Sequence, residues 1–150
     1  MMMCKRILGA AMVAAAIAIV LVGPASAAST TYVIKAKLAP VKDVSGASGT
    51  LTGKLTIAGK KSSFTWTLTF RHLSGTATRA DIYFGNGKTG LLALPLCRKC
   101  QAPRAHGAYV GPYVADASFV RKILHGDAYA VVGTKRNPRG EIRGQIKTAT

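Results

Sequence analysis

The sequence predicts one exported, all-β antiparallel domain of about eight short strands and one short helix, folded as a two-sheet sandwich. Three observations carry that prediction. Apolar and polar residues alternate with period two through most of the chain after residue 30, the spacing of half-buried strands. The polar positions of these segments are rich in threonine, which suits a pleated strand and disfavours a helix. The segments follow one another through short turns, as antiparallel sheets do.

Lys5 and Arg6 precede an uncharged run from Ile7 to Val22, 16 residues dominated by Ala, Ile, Val and Leu. Gly23-Pro24 then breaks any helix, and Ala25-Ser26-Ala27 offers small residues to a signal peptidase. This is the layout of a secretory leader, with cleavage expected after Ala27. The run is short of the roughly 20 residues that span a bilayer. Cys4 lies before the apolar run, so a lipid anchor on that cysteine is disfavoured. Residues 28–150 then form a single domain with one core.

In Thr31–Leu38, Tyr32, Ile34, Ala36 and Leu38 share a face opposite Lys35 and Lys37. In Gly49–Ile57, Leu51, Gly53, Leu55 and Ile57 face away from Thr50, Thr52, Lys54 and Thr56. Ala58-Gly59-Lys60-Lys61 reads as a hairpin turn. Ser62–Phe70 is the clearest strand, with Phe64, Trp66, Leu68 and Phe70 alternating with Thr65, Thr67 and Thr69. Only a pleated strand sets those four large side chains on one side. Arg79–Phe84 alternates again, with Ala80, Ile82 and Phe84 opposite Arg79, Asp81 and Tyr83. The glycine-rich Gly85–Gly90 lacks the spacing and the Lys-Ser/Thr ending of a phosphate-binding loop and is a turn. Leu91–Leu96 is a short apolar strand. Cys97–Gly107 reads as an irregular basic loop, and Ala108–Val114 as an extended segment weakened by Pro112.

Asp116–His125 departs from the β pattern. Phe119, Val120, Ile123 and Leu124 recur at helical spacing, Asp116 supplies an N-cap and Gly126 an end. Ala128–Thr134 is the next strand, Lys135–Gly140 a turn around Asn137-Pro138, and Glu141–Lys147 the last strand, with Ile142 and Ile146 facing in. Glu141 and Arg143 are two apart on that strand, placed to pair with each other or with neighbours.

Leu124-His125-Gly126-Asp127-Ala128-Tyr129, leading into Asn137-Pro138-Arg139-Gly140-Glu141-Ile142-Arg143-Gly144-Gln145-Ile146, resembles the closing motif of CHRD domains, named after chordin. Tyr32-x-Ile34-x-Ala36-x-Leu38 resembles the first strand of that family. The resemblance covers nearly all of the expected mature chain and implies an immunoglobulin-like or Cu/Zn superoxide-dismutase-like sandwich with no established catalysis. It also departs at one point. The family's Ala-His-Ile-His is here Ala80-Asp81-Ile82-Tyr83, so two potential metal-binding imidazoles are absent.

Charge narrows the functional classes. The chain carries 21 Lys and Arg against five Asp and Glu, a net charge of +16. Loss of Lys5 and Arg6 with the leader lowers it to +14. Outside a membrane, such a surface favours an anionic envelope polymer, a phospholipid surface or an acidic protein as partner, and disfavours nucleic acid. The same charge, spread without a long basic run, also serves as a solvated surface of a monomer. The candidate anion contacts are Arg98, Lys99 and Arg104 around the cysteine loop and Lys135, Arg136 and Arg139 in the last turn, provided both sets lie at the same end of the domain.

Cys97 and Cys100 form a Cys-x-x-Cys pair. In an oxidising compartment it is expected to be a local disulfide. The alternatives are a redox pair, whose thiol pKa Arg98 and Lys99 would lower, and a zinc site with His106 as the nearest further ligand. Three scattered histidines (His72, His106, His125) do not make the cluster that copper–zinc chemistry requires. No serine sits in Gly-x-Ser-x-Gly. The expectation is therefore a non-enzymatic structural or binding module without a cofactor. The rival is a thiol-redox or metal-dependent enzyme centred on the cysteine loop.

Overall fold

A computed structural model describes residues 28–42, 46–87, 89–98, 104–109 (backbone) and 116–149. The expected leader and its cleavage point lie outside the described residues. Among the described residues, nine strands and one helix follow in chain order: β1 Ser29–Pro40, β2 Ser48–Ala58, β3 Lys61–Arg71, β4 Ala77–Gly85, β5 Gly90–Cys97, β6 Arg104–Tyr109, α1 Ala117–His125, β7 Ala128–Thr134, β8 Ile142–Gln145 and β9 Lys147–Thr148. Every strand pairing is antiparallel.

The strand order is β5-β4-β7-β8-β1-β2-β3-β6, with β9 pairing β1 off this path. The antiparallel all-β expectation holds, but the pairings do not divide into two separate sheets. They run through one curled sheet, a half-barrel, because β1 serves both arms. It pairs β2 from Ser29 to Leu38, then gives Ala39 and Pro40 to β8. The close crossing beside β8 requires a residue without a side chain: a Cβ at Gly144 would collide with the Lys37 carbonyl oxygen.

Alternation places the core as expected. Ile34, Ala36 and Leu38 of β1, Leu51 and Leu55 of β2, and Phe64, Leu68 and Phe70 of β3 are buried inside the curl. The other arm supplies Ala80, Ile82, Leu94, Leu96, Ala130, Val132 and Ile142. A Cβ at Gly53 would run into the Phe64 ring and Ile34, so that gap in the apolar stripe makes room for the aromatic.

The helix closes one end of the curl. Asp116 caps it, its carboxylate accepting from the Phe119 N–H at 2.7 Å. Gly126, at φ 76, ends it in the left-handed region, and its N–H donates back to the Ile123 carbonyl, as C-terminal glycines do. Phe119 and Ile123 are buried, and the Phe119 ring lies 6.3 Å from Phe64 and 5.8 Å from Phe84.

Two expectations are revised. The segment expected to be loop up to Gly107 becomes strand from Arg104, because β3 offers an open edge and residues 104–109 pair with Thr69 to Phe64 along it. The single last strand is broken into β8 and β9 at Ile146, whose N–H donates to the Ala128 carbonyl while its side chain fills the core. Among the described residues, no helix is long and apolar enough to cross a membrane.

Candidate functional site

Antiparallel register decides which connections share an end. Leu38 lies opposite Gly49, Ser48 opposite Arg71, and Thr69 opposite Arg104. Pro40 lies opposite Ile142, Val132 opposite Ile142, and Ala80 opposite both Val132 and Cys97. The β1–β2, β3–β4, β5–β6 and β7–β8 connections therefore all leave from one end of the curl, away from the β2–β3 turn. We call it the loop end.

A set of cations stands there. Lys42, Arg71, Arg98, Lys135, Arg136 and Arg139 are exposed at the loop end. Arg98 leaves β5 and Lys135 leaves β7, strands that flank β4, so their backbones are roughly 10 Å apart at ordinary strand spacing. Arg104 begins β6 at the same end, and Lys99 lies outside the described residues. The described members of the two expected cation sets thus meet at one end.

The described acid of the loop-end connections, Glu141, is withdrawn from that surface. Glu141 is 1% exposed. Its carboxylate accepts from the Ser74 N–H, from the Ser74 hydroxyl at 2.7 Å, from the Thr134 hydroxyl at 2.7 Å and from the Asn137 amide at 3.2 Å. Burial works to raise its pKa. The donors from Ser74, Thr134 and Asn137 outweigh burial and hold the carboxyl below the usual value. Its backbone completes the knot, with Val41 N–H donating to Glu141 O and Glu141 N–H donating to Val132 O. Glu141 therefore joins three connections at the loop end. It does not pair with Arg143, one of the two outcomes its spacing allowed, and the Arg143 guanidinium donates to the Gly87 carbonyl instead.

A second buried carboxylate stands on the outer face of β4. Asp81 is 1% exposed. Arg79 Nε lies 3.2 Å from one of its oxygens and Arg98 Nη1 lies 3.7 Å from the other. The Tyr83 hydroxyl donates weakly at 3.5 Å and itself accepts from Arg79 at 2.6 Å. Tyr83 stacks on Tyr129 at 5.6 Å, which covers the outside of β7. Burial dominates here and raises the Asp81 pKa against the pull of Arg79, Arg98 and Tyr83. The departure Asp81-Ile82-Tyr83 from the family pattern is therefore an ion-pair and tyrosine cluster. It also ties Arg98 partly inward, so this expected anion contact is shared with Asp81.

The remaining expected residues are dispersed. Cys97 ends the edge strand β5 half-buried, and Cys100 lies outside the described residues. His106 lies opposite Thr67 in β6, the other edge strand. His72 sits in the β3–β4 connection at φ 57, with Nδ1 3.2 Å from the Gly46 carbonyl oxygen. His125 ends α1, where a basic residue suits the helix dipole.

Sequence reasoning missed the two carboxylate knots. Its one usable signal was scarcity: with five acids in so basic a chain, each needs a structural account, but the donors to Glu141 come from residue 74 as well as from its own turn.

Residues 31–146 match the family model described as CHRD domain. Comparison with curated proteins and with solved structures returns no match. The match covers most of the chain, so the chain belongs to the CHRD-domain family.

Proposed function

We propose that this CHRD-domain chain is an exported, non-enzymatic β module, and that its loop end binds an anionic envelope or extracellular partner. One observation supports this reading above the others: six exposed Lys and Arg stand at the loop end, where the described acid, Glu141, is buried under four hydrogen-bond donors. A carboxylate or phosphate approaching this end meets guanidinium and ammonium groups and no competing surface acid among the described residues. Arg forks bind such anions bidentately. The Glu141 knot lets the β1–β2, β3–β4 and β7–β8 connections present their cations on a fixed frame rather than as independent tails.

The rest of the reading is consistent with export. The N-terminal layout directs cleavage after Ala27, and in an oxidising compartment Cys97 and Cys100 close a small loop beside Arg98. A ring of four residues adds little chain-entropy stabilisation, so its effect is to fix the loop locally.

The test is binding of the purified protein to dextran sulfate, polyglutamate and phosphatidylglycerol vesicles as salt is raised. Exposed ion contacts weaken as the Debye length shrinks from about 10 Å at 0.1 M to about 3 Å at 1 M. Binding that falls steeply over that range supports the reading, and the probe held to the highest salt identifies the partner class. No binding to any probe, or binding indifferent to salt, overturns it. Thiol titration of the unfolded protein checks the cysteine assignment: an oxidised pair yields no free thiol from Cys97 and Cys100, and two reactive thiols would favour the redox rival.

A further inference from the structure

The opposite end of the curl carries a feature that the loop end does not use. Between α1 and the β2–β3 turn runs an open groove of about 570 Å³, within the size range of small-molecule sites. Ile57 of β2 and Val120 and Leu124 of α1 line it. All three are half-buried apolar side chains at the margin of the core. Lys60, Lys61 and Arg121, all exposed, also line it. No acid does. Asp116, at the head of α1, is turned to the Phe119 N–H, and Asp127 lines a separate recess beside Gln145.

We propose that this groove binds a single-chain anionic amphiphile, its tail along Ile57, Val120 and Leu124 and its anionic head among Lys60, Lys61 and Arg121. Charge complementarity and the apolar lining together select that occupant. An acidic polysaccharide satisfies the cations but lays hydrated hydroxyls against the apolar side chains of Ile57, Val120 and Leu124, at a desolvation cost. A neutral alkyl chain satisfies the apolar lining and leaves the cations unanswered. A second copy of this chain brings the same basic surface to the same place and is repelled. Lys and Arg suit the task, because their methylene stems extend the apolar wall while their heads stay at the water boundary.

The test is isothermal titration of the purified protein with alkyl carboxylates from butanoate to dodecanoate, below their micelle-forming concentrations. The expected result is one dodecanoate per chain and an affinity that rises about two- to fourfold per methylene. Dodecyl maltoside should bind at least tenfold more weakly. Dodecyl phosphate distinguishes a phosphate from a carboxylate head, and tighter binding of either supports the site. Lys61→Glu with Arg121→Glu should weaken dodecanoate at least tenfold. Lys135→Glu with Arg136→Glu and Arg139→Glu, at the loop end, should leave it unchanged, which separates failure of this site from failure of the loop-end reading. Val120→Gln, with its fold verified by circular dichroism, should flatten the chain-length series. Saturation without one-to-one stoichiometry, butanoate binding as tightly as dodecanoate, or an unchanged Lys61/Arg121 variant overturns the proposal.

Discussion

The two ends of this half-barrel are closed by opposite means. At the helix end, Phe119 and Ile123 are buried in the curl and the Phe119 ring packs against Phe64 and Phe84, so the plug itself is apolar. At the loop end, a buried carboxylate gathers hydrogen bonds from separate connections, and closure depends on Glu141 being ionised. The difference frees the surfaces. An apolar plug leaves a greasy margin in a groove, whereas a buried acid lets the described parts of the loops around it expose cations without losing their shape.

The largest effect expected from breaking this contrast is at the plug. Phe119→Ala removes a ring packed between two others and should cost about 3–5 kcal/mol in denaturant unfolding, with no change in how stability responds to acid. A loss below 1 kcal/mol would show that α1 is not the closing element.

Glu141→Gln tests the other end and should cost about 1–3 kcal/mol at neutral pH, since it trades charge-assisted acceptors for a partly mismatched amide. Its pH signature is more diagnostic than its size. The Glu141 carboxyl lies below its usual value of 4.5, so its stabilisation is complete above that value and is lost as pH falls through the lower folded value. The wild type should therefore lose stability on acidification below about pH 4.5, and the variant should lose less. Equal acid limbs in a stability-against-pH series would contradict the knot.

Asp116→Ala removes the N-cap of the plug and should cost about 1 kcal/mol. It should also loosen amide protection in α1 ahead of the loop end.

The smallest effect belongs to Asp81, and its pH response has the opposite sense to that of Glu141. Its pKa is raised above 3.8 by burial, so its ionisation opposes folding and stability falls as pH rises through the raised value. Asp81→Asn should stay within about 1 kcal/mol of wild type at neutral pH, because it removes the desolvation cost of the buried charge along with its ion pairs, and the exposed Arg98 can turn to water. A loss as large as that of Glu141→Gln would mean that the two carboxylates play the same part.

Much of the architecture was legible along the chain because it is local. Alternation fixed the inward faces of β1 to β4, and the spacing of Phe119, Val120, Ile123 and Leu124 with Asp116 and Gly126 fixed α1. The shape of the sheet was not legible, since sharing β1 between two arms depends on where Pro40 meets Ile142 and on Gly144 admitting the Lys37 backbone. Arg104 to Gly107 was missed as strand because its pairing partner lies some forty residues earlier, in β3. Of the candidate site, the cations could be named from the sequence, but their gathering at one end is a property of register. Asp81 and Glu141 were hidden for the same reason: their partners come from other strands and connections.

The central claim is that register, rather than net charge alone, makes the proposed anion-binding surface. It is tested most directly by comparing two charge-reversed variants against dextran sulfate over a salt series. One reverses Lys135, Arg136 and Arg139 at the loop end, and the other reverses Lys60, Lys61 and Arg121 at the helix end, an equal change in net charge. The account predicts that the loop-end variant loses at least tenfold in affinity and most of its salt dependence, while the helix-end variant binds within about threefold of wild type, the residual long-range effect of screened charge. Equal losses in the two variants would contradict it.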